Sequence, residues 1–235
     1  VGSLSINLHY KSFTQGVLSY FRNKNFKLAF TLILSITFFI TMGLFNNVQI
    51  PFHEKYVDIC FLIISFVSTT GLIPKTLYEY GALSNLILIL AILTLIGGAV
   101  TSTTGGLKPT RLIYIYKYIS IELFRLGNPR KIQAKEKINS IDETSQIFIF
   151  TILYLSIIPI LATIVSAFNI NFEEALLIVI SSLSNTGIGL LEIANINYYP
   201  NTFAEIIILS IILLFGRIEI FITMILLSSI FWKKI

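Results

Sequence analysis

Three long stretches of this chain contain no charged side chain, and they constrain the fold more than any other feature. They cover residues 28–52, 80–107 and 144–172. Each is longer than the roughly 20 apolar residues that cross a bilayer as a helix. A fourth apolar stretch, at roughly residues 203–232, carries Arg217 and Glu219 within it. The sequence therefore predicts an all-α integral membrane protein with four spans.

The composition supports this prediction and excludes other classes of protein. Charged residues make up 12% of the chain and hydrophobic residues 55%, whereas an ordinary soluble chain carries about 25% charged residues. The single cysteine, Cys60, excludes an internal disulfide framework, and two histidines offer no metal-ligand cluster. A membrane protein with positive inner loops explains the net charge of +5 without a nucleic-acid partner.

The basic residues are distributed unevenly about the predicted spans. Of the 17 lysines and arginines, Lys55 and Lys75 lie on one side and Arg217 lies inside a span. The others share the opposite side, which the positive-inside rule makes cytoplasmic. They are Lys11, Arg22, Lys24, Lys27, Lys108, Arg111, Lys117, Arg125, Arg130, Lys131, Lys135, Lys137, Lys233 and Lys234.

Carboxylates collect on the outer side instead. An acidic outer mouth would raise the local concentration of cations, but ordinary solvated loop charge explains the same pattern, and both interpretations stay open. The residues are Glu54, Asp58, Glu79, Glu173, Glu174, Glu192 and Glu205.

An internal repeat organises the chain. The segments Asp58–Leu72 and Glu174–Ile188 align without gaps at an offset of 116 residues. Both contain an apolar run too short to span a bilayer, and both end in the pattern S-x-T-G. The identical pairs are Ile64/Ile180, Ser65/Ser181, Ser68/Ser184, Thr70/Thr186 and Gly71/Gly187.

The repeat predicts two tandem modules, each made of a span, a short outer helix, a turn and a second span. The first module covers residues 26–120 with its short helix at 54–68, and the second covers 144–235 with its short helix at 172–184. A cytoplasmic segment, 1–25, precedes them, and a basic cytoplasmic loop, 121–143, joins them. Repeats of membrane transport proteins often meet at the substrate site.

Each short helix and its turn have the chemistry of a pore loop. A helix C-terminus carries partial negative charge, glycine can turn its carbonyl toward an axis, and carbonyl rings replace the hydration shell of a permeating monovalent cation. A re-entrant helix with a glycine cap and no ion is the alternative. The predicted filter residues are Thr69, Thr70, Gly71, Leu72, Asn185, Thr186, Gly187 and Ile188.

The second span is broken by glycines and hydroxyl residues. Glycine costs roughly 1 kcal/mol in a helix interior, so this stretch is not a plain lipid-facing helix. A flexible loop below a filter would act as a gate, and close packing of small residues is the alternative. A phosphate-binding loop does not fit the spacing. The predicted gating residues are Gly97, Gly98, Thr101, Ser102, Thr103, Thr104, Gly105 and Gly106.

Arg217 is a charge inside a predicted span. It lies 16 residues before Lys233, or roughly 24 Å along a helix, which is too far to reach the inner interface. Intramembrane charges usually face protein or water and have a function. Arg217 is predicted to form a barrier in a cation pathway, with a structural ion pair as the alternative. No catalytic constellation lies in the spans, so the sequence does not indicate an enzyme.

These segments resemble the Trk/Ktr/HKT superfamily of potassium transporters. The resemblance rests on Ser68–Leu72, Gly97–Arg111, Ser184–Gly189 and Phe215–Thr223, and the glycine-rich stretch with the G-R-x-E-x-F segment is typical of the bacterial Trk-type branch. The resemblance implies a pseudo-fourfold pore built from four repeats, of which this chain holds the third and fourth. It also implies K⁺ as the transported ion, bound at Thr70, Gly71, Thr186 and Gly187.

The resemblance further implies a set of partners and a location. These are a missing N-terminal half with repeats one and two, a second copy in a homodimer, and a cytosolic nucleotide-binding regulatory subunit. The expected location is the bacterial cytoplasmic (inner) membrane, as a multi-pass protein with no bound cofactor. Because two filter strands cannot encircle an ion, the chain is expected to be a fragment, a split product or a decayed remnant. A non-conducting structural or regulatory subunit is the alternative function.

Overall fold

The computed structural model describes residues 6–16, 20, 34–43, 51–79, 86–99, 102, 104–127 and 141–218. Within these ranges the protein is helical and contains no strand. The helices are Ile6–Gln15, Leu34–Gly43, Phe52–Val67, Lys75–Glu79, Ile87–Ile96, Pro109–Gly127, Ile141–Ser166, Phe172–Leu183, Gly189–Ile193 and Phe203–Ile218.

Helix Ile141–Ser166 contains a stretch long and apolar enough to cross a membrane. Over Ile147–Ser166 its mean hydropathy is 2.5, and only 28% of the stretch is buried. A core helix of a soluble protein would be mostly buried, so this helix presents its apolar surface outward. No other described helix meets the same criterion of length and hydropathy. Leu34–Gly43 and Ile87–Ile96 are shorter apolar helices that lie within two of the predicted spans.

The two short helices predicted from the repeat are Phe52–Val67 and Phe172–Leu183, and we call them the first and second half-helix. Each has acidic residues in its first turn, where the helix dipole favours them. Each also has buried apolar residues recurring at helical spacing, which gives it one face toward the core. These residues are Ile59, Leu62, Ile63 and Phe66 in the first and Ala175, Ile178, Val179 and Leu183 in the second.

The second half-helix lies at the centre of the described structure. It packs against the spanning helix Ile141–Ser166, the last described helix Phe203–Ile218 and the apolar helix Ile87–Ile96. The first half-helix contacts Ile87–Ile96 and the short helix Lys75–Glu79. Helix Ile87–Ile96 therefore lies between the two half-helices.

The glycine-rich break follows helix Ile87–Ile96. Gly97 ends the helix with φ of 65°, a left-handed conformation that glycine adopts without steric penalty. The chain then returns, and the N–H groups of Leu107 and Lys108 donate to the carbonyls of Leu95 and Ile96 at 2.7 and 2.9 Å. These bonds satisfy carbonyls that a helix end would leave unpaired. The break is therefore a closed loop, and we call residues 97–108 the glycine loop.

Two features of the segment around residues 108–127 differ from the sequence-based expectation. Helix Pro109–Gly127 continues past residue 120, where a basic loop was expected to begin, because helix-forming residues follow one another without glycine or proline until Gly127. Lys108, expected as a solvated inner charge, is only 3% exposed. Its ammonium donates to the carbonyl of Thr104 within the glycine loop.

Candidate functional site

The turn after the first half-helix has a defined hydrogen-bonded geometry. The N–H of Thr70 donates to the carbonyl of Ser65 at 2.8 Å, and the N–H of Thr69 donates to the carbonyl of Phe66 at 3.1 Å. This pair of bonds, with the residue after the cap in a left-handed conformation, is the Schellman motif. Thr69 has φ of 53°.

The turn after the second half-helix repeats this geometry bond for bond. The N–H of Thr186 donates to the carbonyl of Ser181 at 3.0 Å, and the N–H of Asn185 donates to the carbonyl of Ser182 at 3.1 Å. Asn185 has φ of 56°. The left-handed cap is thus Thr69 in one turn and Asn185 in the other, not a glycine. Gly71 and Gly187, two residues later, therefore do not cap the half-helices.

Hydroxyl groups pair in the same way in both turns. Ser68 Oγ lies 2.8 Å from Thr70 Oγ1, and Ser184 Oγ lies 2.7 Å from Thr186 Oγ1. The serine hydroxyls also donate to carbonyls of their own half-helix, Ser68 to Ser65 at 3.2 Å. Because each hydroxyl has a single proton, the threonine must donate to the serine. In each turn, the protons of both hydroxyl groups therefore form hydrogen bonds within the half-helix and its turn.

The backbone carbonyls beyond the caps have no such partner. Among the described residues, no N–H or side-chain donor is bonded to the carbonyls of Thr70, Gly71, Thr186 or Gly187. A backbone carbonyl is an obligatory acceptor that is normally satisfied by protein or water. Four such oxygens follow the negative ends of two half-helices. This arrangement suits water molecules or a monovalent cation as the missing partner.

The two turns lie side by side. A Cβ added at Gly71 would fall well inside 3.0 Å of the carbonyl oxygen of Thr186, and a Cβ at Gly189 would fall equally close to the carbonyl oxygen of Gly71. Only glycine permits these two approaches. Gly187 differs, because a Cβ there would meet nothing within 4 Å. The structure thus brings the predicted filter segments together, with Gly187 facing open space.

The glycine loop approaches the second turn from the other side. Gly105 lies so close to the carbonyl oxygen of Ser184 that a Cβ would fall within 3.0 Å of it. A Cβ at Gly97 would likewise fall within 3.0 Å of the carbonyl oxygen of Gly105, and a Cβ at Gly106 within 3.0 Å of that of Leu95. Of the eight predicted gating residues, Thr101 and Thr103 lie outside the described residues. The remaining six belong to one compact loop that touches the end of the second half-helix.

Hydrogen bonds inside the glycine loop hold its shape. Thr104 Oγ1 accepts the N–H of Gly98 at 3.0 Å and lies 2.7 Å from Ser102 Oγ. The carbonyl of Thr104 accepts the ammonium of Lys108. Within the loop, hydroxyl groups and the ammonium of Lys108 thus form hydrogen bonds in place of the regular backbone bonds of a helix.

A cavity of about 180 Å³ separates the glycine loop from two helices. It joins the loop to Arg217, whose side chain is exposed. The described residues that line it include no carboxylate. The hydroxyl of Tyr154 is buried in this region with no hydrogen-bond partner among the described residues. The lining residues are Ser102, Thr104, Gly105, Gly106, Lys108, Phe150, Tyr154, Phe215, Gly216 and Arg217.

Glu219, the other charged residue of this predicted span, lies outside the described residues. The structure does show how the helix carrying Arg217 reaches the filter. Gly216 lies against the carbonyl of Leu183, and Asn185 Nδ2 donates to the carbonyl of Leu213 at 3.4 Å. The last described helix is therefore fastened to the second turn one residue before Arg217.

The outer carboxylates do not form one group. Glu205 is buried and accepts the N–H groups of Asn201 and Thr202, while Thr202 Oγ1 accepts the N–H of Glu205 at 3.3 Å. This is a capping box, which stabilises a helix start. Burial and the nearby charge of Glu205 raise the pKa of Tyr198, so this phenol stays neutral. Glu54, Glu173 and Glu192 are exposed and remain candidates for an acidic mouth.

Sequence reasoning assigned no role to several residues that build this site. Gly189 and Gly216 each permit a backbone contact, and an isolated glycine in an otherwise regular segment is a signal for such an approach. Ser65 Oγ accepts the N–H of Leu72 at 2.7 Å, which the repeat alignment does not indicate, because the aligned Ser181 donates within its own helix. Nothing in the sequence distinguished Lys108 from its solvated neighbours.

Comparisons with known proteins place these features in context. A family model described as "TrkH: Cation transport protein" matches residues 23–234. An uncharacterized cation transporter of Methanocaldococcus jannaschii is 28% identical over all of this chain and 47% of its own length. The Trk system potassium uptake protein TrkH of Salmonella typhimurium is 26% identical over 92% of this chain and 45% of its own length.

A solved structure has the same fold. The crystal structure of the potassium transporter TrkH from Vibrio parahaemolyticus superposes with a TM-score of 0.83 and 24% identity. The superposition covers 98% of this chain and 50% of that one. The chain thus spans about half the length of the relatives that it matches.

Proposed function

This chain belongs to the TrkH family of cation transport proteins, and from that premise we propose that it forms the C-terminal half of a transporter that conducts potassium ions, or a closely related monovalent cation, into the cell. The supporting observation is the pair of matched turns. Each offers unbonded carbonyls at the negative end of a half-helix, and the two meet where Gly71 lies against Thr186. Potassium is the expected cargo because the relatives named as Trk proteins are potassium uptake proteins.

The carbonyls of Thr70, Gly71, Thr186 and Gly187 form half of the proposed filter. Two turns contact an ion from one side only, so the remaining oxygens must come from elsewhere. The chain covers about half of its relatives, which supports a missing N-terminal half that supplies two further turns. The complete transporter would lie in the bacterial inner membrane as a homodimer. Its basic inner segments would contact a cytosolic nucleotide-binding regulatory subunit.

The glycine loop and Arg217 control passage below the filter in this proposal. Gly105 lies against Ser184 at the end of the second half-helix, and this contact supports a loop that obstructs an ion leaving the filter. Arg217 lies across the cavity from the loop. A cation there repels other cations at short range. The loop would act as the gate and Arg217 as the barrier that keeps ions from accumulating.

The filter assignment is tested by a substitution at Gly187 in the complete transporter reconstituted into liposomes. Gly187→Ser places a hydroxymethyl group in the open space beside the proposed ion without disturbing a neighbour. We expect the ratio of rubidium to sodium flux to fall, because the added side chain displaces coordinating oxygens from the axis. Gly16→Ser is the matched control, since Gly16 also has a positive φ, of 89°, and a Cβ there also meets nothing within 4 Å, but Gly16 follows helix Ile6–Gln15.

A second variant, Gly71→Ser, is expected to lower the same ratio and also to destabilise the protein. Unchanged selectivity in both filter variants would remove the filter assignment. Liposomes that contain only this polypeptide are expected to show no flux, whereas the complete transporter conducts. No flux from the complete transporter would favour the non-conducting structural or regulatory role instead.

A further inference from the structure

Ser65, near the end of the first half-helix, accepts three hydrogen bonds from the turn that follows. Its carbonyl accepts the N–H of Thr70 at 2.8 Å and the N–H of Gly71 at 3.4 Å. Its Oγ accepts the N–H of Leu72 at 2.7 Å. Ser65 is only 5% exposed, so water has little access to it. Three consecutive N–H groups of the first turn therefore converge on one buried residue.

A hydrogen bond to an N–H group also orients the carbonyl of the same peptide unit. A trans peptide is planar, so its N–H and C=O bonds point in opposite directions. The unit that carries the N–H of Leu72 carries the carbonyl of Gly71, and the unit that carries the N–H of Gly71 carries the carbonyl of Thr70. Both carbonyls belong to the proposed filter, and the bonds to Ser65 direct both away from the first half-helix.

The second module borders the other edge of the Gly71–Leu72 peptide unit. The carbonyl oxygen of Gly71 lies so close to Gly189 that a Cβ there would fall well inside 3.0 Å of it. Gly71 itself does not resist a rotation of this unit, because glycine populates a wide range of backbone angles. The orientation of the Gly71 carbonyl therefore depends on the contact with Gly189 and on the hydrogen bond to Ser65.

The second turn lacks the equivalent hydrogen bond. Ser181 aligns with Ser65 in the repeat, but its Oγ donates to the carbonyl of Ile178 in its own helix at 3.0 Å. Among the described residues, no hydrogen bond joins the N–H of Ile188 to Ser181. The carbonyl of Gly187 is thus not oriented by a serine hydroxyl, although the two turns have the same cap.

Resting on the proposed function, we propose that Ser65 is a positioning residue for cation selectivity. Its hydroxyl fixes the Gly71–Leu72 peptide unit and so holds the Gly71 carbonyl where it can replace part of the hydration shell of a potassium ion. Without this hydroxyl, the N–H of Leu72 needs another acceptor, and the peptide unit rotates toward water. A carbonyl that can rearrange also accommodates the smaller sodium ion, so discrimination between the two ions falls.

The test measures rubidium and sodium fluxes through the complete transporter in liposomes. Ser65→Ala removes the acceptor of the Leu72 N–H and changes little else in the volume of the side chain. We expect the ratio of rubidium to sodium flux to fall about fivefold, which is the factor by which one neutral hydrogen bond shifts an equilibrium. Ser181→Ala is the matched control and should keep the wild-type ratio, because Ser181 Oγ donates within its own helix.

The flux ratio separates a positioning role from a purely structural one. A structural role for Ser65 would reduce the amount of folded transporter and lower both fluxes equally, which leaves their ratio unchanged. Ser65→Thr keeps the accepting hydroxyl and should retain the wild-type ratio. If Ser65→Ala does not fold, Ser65→Cys replaces the hydroxyl by a thiol of similar size that is a weak acceptor, and its ratio should fall in the same direction.

The outcomes also separate this inference from the proposed function. If the wild-type transporter discriminates between rubidium and sodium, and the folded Ser65→Ala or Ser65→Cys variant keeps the wild-type ratio, the role of Ser65 is wrong and the filter assignment stands. An equal fall in Ser181→Ala would overturn the inference as well, because Ser181 does not bind the second turn through its hydroxyl. If the wild-type transporter carries no cation under any condition, the proposed function itself fails.

Discussion

The two half-helix turns share one backbone geometry but lie in different surroundings. In the second turn, Ser184 is 0% and Thr186 is 3% exposed, and the last described helix and the glycine loop both contact this turn. In the first turn, Thr70 is exposed. Local sequence thus sets the turn, since the same S-x-T-G pattern gives the same hydrogen bonds twice. The elements that pack against each turn determine which ligand the turn can bind and how much each substitution lowers the free energy of unfolding.

The difference arises from neighbours within the described structure. Helix Phe203–Ile218 and the glycine loop both contact the second turn, at Leu183, Ser184 and Asn185. In the proposed fourfold arrangement, each of the two turns has the other as one neighbour and a repeat outside this chain as the second. Such a repeat would cover the exposed side of Thr70.

The largest contrast is expected between alanine substitutions at the two filter glycines. Gly71→Ala introduces a Cβ against the carbonyl of Thr186 as well as a strained φ of 70°, so it should destabilise by about 3 kcal/mol. Gly187→Ala adds only the strain at φ of 79°, or about 1 kcal/mol. Thermal unfolding of the purified variants in detergent measures the difference. Equal losses at the two positions would contradict the close approach of the turns.

A smaller contrast is expected between the two threonines. Thr186→Val leaves the buried hydroxyl of Ser184 without its partner at 2.7 Å, which should cost about 2 kcal/mol. Thr70→Val removes the equivalent partner of Ser68 at an exposed position, where water can replace it, and should cost under about 0.5 kcal/mol. The same unfolding measurement applies, and a larger loss for Thr70→Val would show that the first turn is covered in the purified protein.

A third contrast is expected between Ser65 and Ser181, which occupy equivalent positions in the two copies of the repeat but form different hydrogen bonds. Ser65 Oγ accepts the N–H of Leu72 at 2.7 Å, whereas Ser181 Oγ donates to Ile178 within its own helix at 3.0 Å. Ser65→Ala should therefore cost about 1 kcal/mol by leaving a backbone N–H unpaired, and Ser181→Ala clearly less. Hydrogen exchange at the Leu72 amide should accelerate in the first variant only.

The smallest expected effect concerns the caps. Thr69 is β-branched and adopts φ of 53°, a conformation that asparagine tolerates better. Thr69→Asn should thus stabilise the first turn by roughly 0.5 kcal/mol, with no loss of selectivity. The reverse exchange, Asn185→Thr, should destabilise because it also removes the bond to the carbonyl of Leu213. A destabilising Thr69→Asn would indicate that the threonine side chain has a role that the turn geometry does not reveal.

The repeat was the part of the structure most accessible from sequence. An offset of 116 residues and the S-x-T-G pattern predicted two short helices that end in similar turns, because such turns depend on local hydrogen bonds. The family follows from the same segments, and the match over residues 23–234 confirms it. The spans were predicted from uncharged runs. Within the described residues, one helix is long and apolar enough to cross a membrane.

Contacts between distant segments were not accessible in the same way. Which glycine meets which carbonyl depends on packing, so the pairing of Gly189 with Gly71 could not be read from either motif alone. Lys108 was counted among the inner basic residues because it lies in the charged segment between two predicted spans. Its burial arises from the return of the glycine loop onto helix Ile87–Ile96, a feature of tertiary structure.

The central claim is that the carbonyls of the two turns bind a dehydrated monovalent cation. Crystals of the complete transporter grown in rubidium or thallium salts test it directly by anomalous scattering. We predict a peak within bonding distance of the carbonyl oxygens of Thr70, Gly71, Thr186 and Gly187, and its loss in Gly187→Ser. An occupied ion position elsewhere in the protein, with these four oxygens bonded to protein or to water alone, would contradict the account.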